Sequence, residues 1–217
     1  VNDRLWWAGV GLSCAAIALA WIEQSTRREH APIAWLLSAE LVADLLRRAL
    51  AAVALGAGPP GGQPYTGGLR VLFHVDQGLF LVWPVGLAAA ALVVLAKARA
   101  RWALGGGVLA VAILTAGYPT IRRELLARAY LGIELASLGC VVASGALWWR
   151  RHERPSLTSG SVLVLSCIEA GTLIAYRQPW AEGWTAAAVI YLVGFGALVA
   201  LHVGERWWRP SPIYRSR

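Results

Sequence analysis

From Leu5 to Leu201 the sequence is divided into apolar runs separated by short polar stretches, and the runs recur from end to end. A helix needs about 20 predominantly apolar residues to cross the hydrocarbon core of a bilayer. Hydropathy gives seven such runs, at about 5–22, 32–56, 70–96, 102–118, 126–149, 157–176 and 185–205. The expected fold is therefore all-α: one polytopic domain over residues 1–217, built as a bundle of seven transmembrane helices. Composition agrees, since a mean hydropathy of +0.55 with 58% hydrophobic and 15% charged residues exceeds what one soluble core of this length needs.

Glycine and proline punctuate the gaps. The segment GAGPPGGQPYTGG between the second and third runs cannot be regular helix, and Pro119, Pro155 and Pro179 mark other ends. The fourth run is the shortest and carries Gly105, Gly106 and Gly107, so a six-span arrangement with one interfacial segment is the alternative. Arg4 and the apolar run through Ala20 also have the outline of a signal peptide, but the run is read as the first span.

The formal charge of +8 and pI of about 10.1 do not point to nucleic acid, because the basic residues sit in short clusters between apolar runs. Such clusters report topology. The first, third and fifth loops and the C-terminal tail hold twelve Lys and Arg residues, against six on the opposite side. The N-terminus is therefore expected outside and the tail, ERWWRPSPIYRSR, in the cytoplasm against anionic headgroups. All basic residues except Lys97 are Arg, which with the Ala and Gly content suggests a GC-rich bacterial genome and the inner membrane of such a cell. Many of the 12 Trp lie near span ends, where an amphipathic ring anchors at headgroup level.

The second run breaks the apolar pattern. Glu40, Asp44 and Arg47 are spaced i, i+4, i+7 and share one helix face, with Arg48 beside them. Each central charge costs roughly 2.5–3.5 kcal/mol on an insertion scale, so this face must point at protein or water. The third run supplies Arg70, His74 and Gln77 on one stripe and Asp76 on the adjoining face. With about 1.5 Å of rise per residue, Arg47, Arg48 and Asp76 fall in the outer half of their spans, as do Glu134, Glu169 and Tyr191 on the fifth, sixth and seventh. Asp44, Asp76, Glu134 and Glu169 outnumber Arg47 and Arg48, so a shared site would favour a protonated carboxylate or a bound cation. The competing expectation is static: Arg47 tied to Asp76, and Arg48 to Glu134 or Glu169.

Several chemistries are excluded by residue type. A retinal Schiff base needs a lysine in the last span, and Lys97 is the only lysine. Haem ligation fails because His74 and His202 lie at opposite ends of their spans. Cys14, Cys140 and Cys167 form no CxxC pair and support neither a disulfide framework nor a zinc site. Ser144 and His202 partly resemble the serine–histidine pair of the rhomboid proteases, but Val142 stands where that family's motif wants glycine. Tyr130, Glu134, Ser137 and Ser144 form a polar stripe on the fifth span, as a hydrogen-bonded helix interface would.

The leading expectation is a transporter or channel-like protein for protons, cations or a small cationic solute, rather than an enzyme. Its binding or relay residues would be Asp44, Arg47, Arg48, His74, Asp76, Gln77, Glu134, Glu169 and Tyr191, with no catalytic set, metal or cofactor. The alternatives are an intramembrane enzyme acting on a lipid or peptide, and a non-catalytic sensor or assembly subunit. The partners expected are the bilayer, a small solute or ion, and a second copy or another membrane protein, with no nucleic acid.

Overall fold

The computed structural model describes residues 3–55, 67–99, 101–103, 105–107, 109, 123–151, 156–175 and 180–207. Among them all regular structure is helical. Seven α-helices follow in order: α1 (Asp3–Thr26), α2 (Ala31–Leu50), α3 (Gly67–Phe80), α4 (Val82–Val94), α5 (Arg123–Trp149), α6 (Leu157–Ala175) and α7 (Trp180–Trp207). A 3-10 turn, Arg28–His30, joins α1 to α2, and one turn of π-helix, Ala51–Leu55, extends α2.

The helices coincide with the apolar runs, with one difference of count. The third run is two helices, because Pro84 has no N–H to give the Phe80 carbonyl one turn back. The chain tightens there, with Leu81 N–H bonded to the Gly78 carbonyl at 3.1 Å, and the helix resumes with Val85 N–H on the Leu81 carbonyl at 3.1 Å. The fourth run, 102–118, lies mostly outside the described residues, as do the Gly/Pro segment at 56–66 and the tail from Trp208.

Among the described residues, five stretches are long and apolar enough to cross a membrane: Trp7–Thr26, Gly67–Val94, Arg128–Trp149, Leu157–Ala175 and Thr185–Glu205. α2 is not among them, and the sequence gives the reason in Glu40, Asp44, Arg47 and Arg48. The helices turn large apolar side chains outward, among them Val53 (88% exposed), Val193, Ile174 and Val142. Water would penalise that surface and hydrocarbon accepts it. Trp7 and Trp149 are also exposed, but Trp148 turns inward and is buried, so not every tryptophan at a span end is an interfacial anchor.

The chain groups into two compact units. The first comprises Val1–Ala34 and His152–Arg217. Here α7 packs against both α6 and α1, over a core that includes Ile33, Val162, Leu165, Ile168 and Leu198. Apolar burial supplies little drive between helices in lipid, so close approach matters more. Gly194 on α7 provides it: a Cβ there would overlap the Ile168 side chain on α6, and one at Gly171 would stand 3.1 Å from Ile190.

The second unit is Trp35–Arg151. α4 lies along α5, with Leu81 and Tyr130 buried together and Phe80, Val85 and Ile133 packed around them. Gly86 faces the Leu36 side chain of α2, whose Cδ1 would be 2.7 Å from an added Cβ. α3 meets the π-turn that follows α2, which brings the charged face of α2 within reach of α3.

Candidate functional site

In the second unit, Arg47 stands in the last turn of α2, just before the π-turn that α3 meets. Its Nε donates to Asp76 Oδ1 at 3.0 Å, and its guanidinium lies over the Phe80 ring, 5.0 Å from the centroid. Gln77 Nε2 donates to the other carboxylate oxygen, Oδ2, at 3.1 Å. Asp76 thus accepts from a cation on one oxygen and from an amide on the other. The pair is not sealed by protein, since 28% of the Arg47 side chain and 14% of that of Asp76 stay exposed.

The other expected residues of this unit are placed differently. His74 is buried on α3 with its ring edge-on to Phe73 at 5.1 Å. Asp44 on α2 and Glu134 on α5 are half-buried, and Arg48 is exposed. Tyr130, Ser137 and Ser144 are buried, so the polar stripe of α5 turns inward around the half-buried Glu134. Glu169 and Tyr191 belong to the first unit. Glu169 is buried on α6, where its backbone carbonyl accepts from Thr172 Oγ1 at 2.9 Å, and Tyr191 stacks on Phe195 at 6.0 Å.

The first unit also holds a polar array to which no sequence motif pointed. It forms where α1 ends, α6 begins and α7 approaches its end. Arg27 is extended, at φ −133 and ψ 95, so the chain leaves α1 and coils back through the 3-10 turn, with His30 N–H on the Arg27 carbonyl at 2.9 Å. His30 is thereby folded inward and is fully buried. At the start of α6, Ser156 Oγ accepts the Ser159 N–H at 3.2 Å, the bond of a serine N-cap. That cap makes Thr158 the second helical residue, and its Oγ1 lies 3.0 Å from His30 Nδ1. From α7, His202 brings its Nε2 to within 3.0 Å of His30 Nε2, and both residues are 0% exposed.

The proton positions follow from one acceptor. His202 Nδ1 is 2.8 Å from the Leu198 carbonyl oxygen, which can only accept. Nδ1 therefore carries the hydrogen, and in the neutral ring Nε2 is a bare acceptor. His30 must then donate through Nε2–H, which leaves its Nδ1 to accept from the Thr158 hydroxyl. The ring centroids are 5.1 Å apart, close to the N–N distance plus two ring radii, so the Nε2–H bond points nearly along the partner's lone pair.

Arg27 closes this end of the unit, with Nη2 on Glu205 Oε1 at 2.9 Å and Nε 3.9 Å from Glu23 Oε2. Enclosure pushes His30 down from 6.5 to about 4, aided by the neighbouring His202 and opposed by the Glu23 carboxylate. His202 commits both ring nitrogens inside this array. Among the described residues no group of three His, Cys, Asp or Glu side chains gathers as a metal ion would require, and the three cysteines are free and exposed.

Compared with models of protein families, with curated proteins and with solved structures, the chain finds no match in any of the three.

Proposed function

We propose that this multi-pass membrane protein moves protons or a small cation, with Asp76 as the acceptor and Arg47 as its counter-ion. The observation carrying this reading is the Arg47–Asp76–Gln77 group on α2 and α3, a charged carboxylate beside an otherwise apolar crossing, with part of the pair open at the surface. Ionisable residues inside membrane spans are costly, and their usual use is a proton relay or an ion path. Asp44, Arg48, His74 and Glu134 are the candidates for further steps within the same unit, while Glu169 and Tyr191 are candidates within the first unit. By the positive-inside rule the site belongs to the outer half of a bacterial inner-membrane protein.

The test is flux into liposomes carrying the purified chain and a pH-reporting dye, under an imposed membrane potential. Asp76→Asn is expected to lower the initial rate at least tenfold. Unchanged rates in both Asp76→Asn and Glu169→Gln overturn the reading. The occupation of both Asp76 oxygens favours a second one, a non-catalytic sensor or assembly subunit in which the pair is a static tie. Absence of flux together with stable co-purification of a partner protein would select it.

A further inference from the structure

We propose that the facing imidazoles of His30 and His202 form a binding site for a single proton, entered at His30 Nδ1 beside Thr158 and closed at the Leu198 carbonyl. The site lies in the first unit and does not depend on the transport reading.

In the neutral array, one hydrogen occupies each polar gap: Thr158 Oγ1–H to His30 Nδ1, His30 Nε2–H to His202 Nε2, and His202 Nδ1–H to the Leu198 oxygen. A further proton from water adds to the His30 Nδ1 lone pair. The Thr158 hydroxyl then rotates so that its oxygen accepts the new N–H, and no heavy atom has to move. The resulting imidazolium donates through both nitrogens, and the bond to His202 becomes charge-assisted. The charge can also pass to His202 by transfer of the Nε2 hydrogen across the 3.0 Å gap. It stops there, because His202 Nδ1 faces a peptide carbonyl that cannot carry a proton onward.

A second proton is excluded by the same geometry. It would require an N–H on both Nε2 atoms, facing each other at 3.0 Å with no acceptor between them. The pair therefore holds one charge or none.

The charged groups beside the array among the described residues bear on its affinity. α1 contributes Glu23, which favours the charged ring, and the turn contributes Arg27, which opposes it. α7 contributes His202 and Glu205, the latter bonded to Arg27. Among the described residues α6 contributes neutral hydroxyls here, those of Thr158, Ser159 and Ser161. Enclosure of the His30 ring lowers its affinity for a proton below that of an ordinary histidine.

The experiment uses the full chain in lipid nanodiscs, labelled with 15N at histidine and observed by NMR while pH is lowered. At neutral pH, His30 is expected as the Nε2–H tautomer and His202 as the Nδ1–H tautomer, with through-bond coupling between the two Nε2 nuclei. On acidification the pair should take up one proton in one step. Identical tautomers on the two rings, or two separate one-proton steps near 6.5, overturn the proposal. Thr158→Val removes the oxygen that accepts from protonated His30 and is expected to weaken proton binding at least tenfold, while Thr158→Ser restores it. Equal affinity in the valine and serine variants overturns the assigned entry point.

Discussion

His30 and His202 are 172 residues apart in the chain and 3.0 Å apart at their Nε2 atoms. The bond ties the turn after α1 to α7, and Thr158 ties the same ring to α6. Three helices of one unit are thus joined through a single imidazole.

Stability should fall as the solution is acidified through the window that this ring defines. Its value is 6.5 in the unfolded chain and about 4 in the folded one. Between those values the unfolded state holds a proton on His30 that the folded state does not, so the stability present above pH 6.5 is lost as pH falls towards 4, where the contribution of this ring alone levels off. The loss from this group is at most ~3 kcal/mol. Thermal unfolding in detergent across pH 7.5–3.5 measures it, and a flat profile in the wild type would contradict the enclosure of His30.

Arg47 and Asp76 should show coupling. Because both are part-exposed, the interaction lies between a surface and a buried ion pair, at about 1–2 kcal/mol in a double-mutant cycle of Arg47→Gln and Asp76→Asn. Phe80→Leu should weaken the same group by about 0.5–1 kcal/mol, the contribution of its ring beneath the guanidinium. Additive single mutants would mean the pair does not form.

Gly194→Ala should destabilise the first unit by about 1–3 kcal/mol, because the new methyl group meets Ile168 where no space remains. Ile168→Ala on its own leaves a cavity. Combined, the two changes should recover part of the loss, read as the thermal midpoint of the double variant against each single one.

Ser156→Ala removes the N-cap of α6 and should cost about 1 kcal/mol. It should also loosen Thr158, two residues further on, so faster amide exchange is expected at Thr158 and Ser159 than at Leu165. Exchange protection unchanged at all three would show that Ser156 does not hold the helix start.

Much of this architecture was legible because lipid imposes a simple rule of length and hydropathy. The helices sit on the runs that hydropathy marks, and the stripe of Glu40, Asp44 and Arg47 announced that α2 differs from the rest. The partner of Arg47 was legible too, since Asp76 was the carboxylate at matching depth on the next run. Other features were hidden for physical reasons. Pro84 showed a local lack of a donor but not that the third run would divide into two helices. In the sequence His30 is one more polar residue beside Arg27 and Arg28, and nothing local distinguishes a ring that folds inward from one left in solvent. Its pairing with His202 depends on how α1 and α7 approach, and that is a property of packing rather than of any motif.

The interruption at Leu81 turns the third crossing into two rods with a joint between them. Asp76 rides on the rod before the joint, while the rod after it is braced along α5. Because Arg47 belongs to α2, bending at that point would move the Asp76 carboxylate relative to its arginine while the braced rod stays still, so a joint about one helical turn away would act directly on the ion pair.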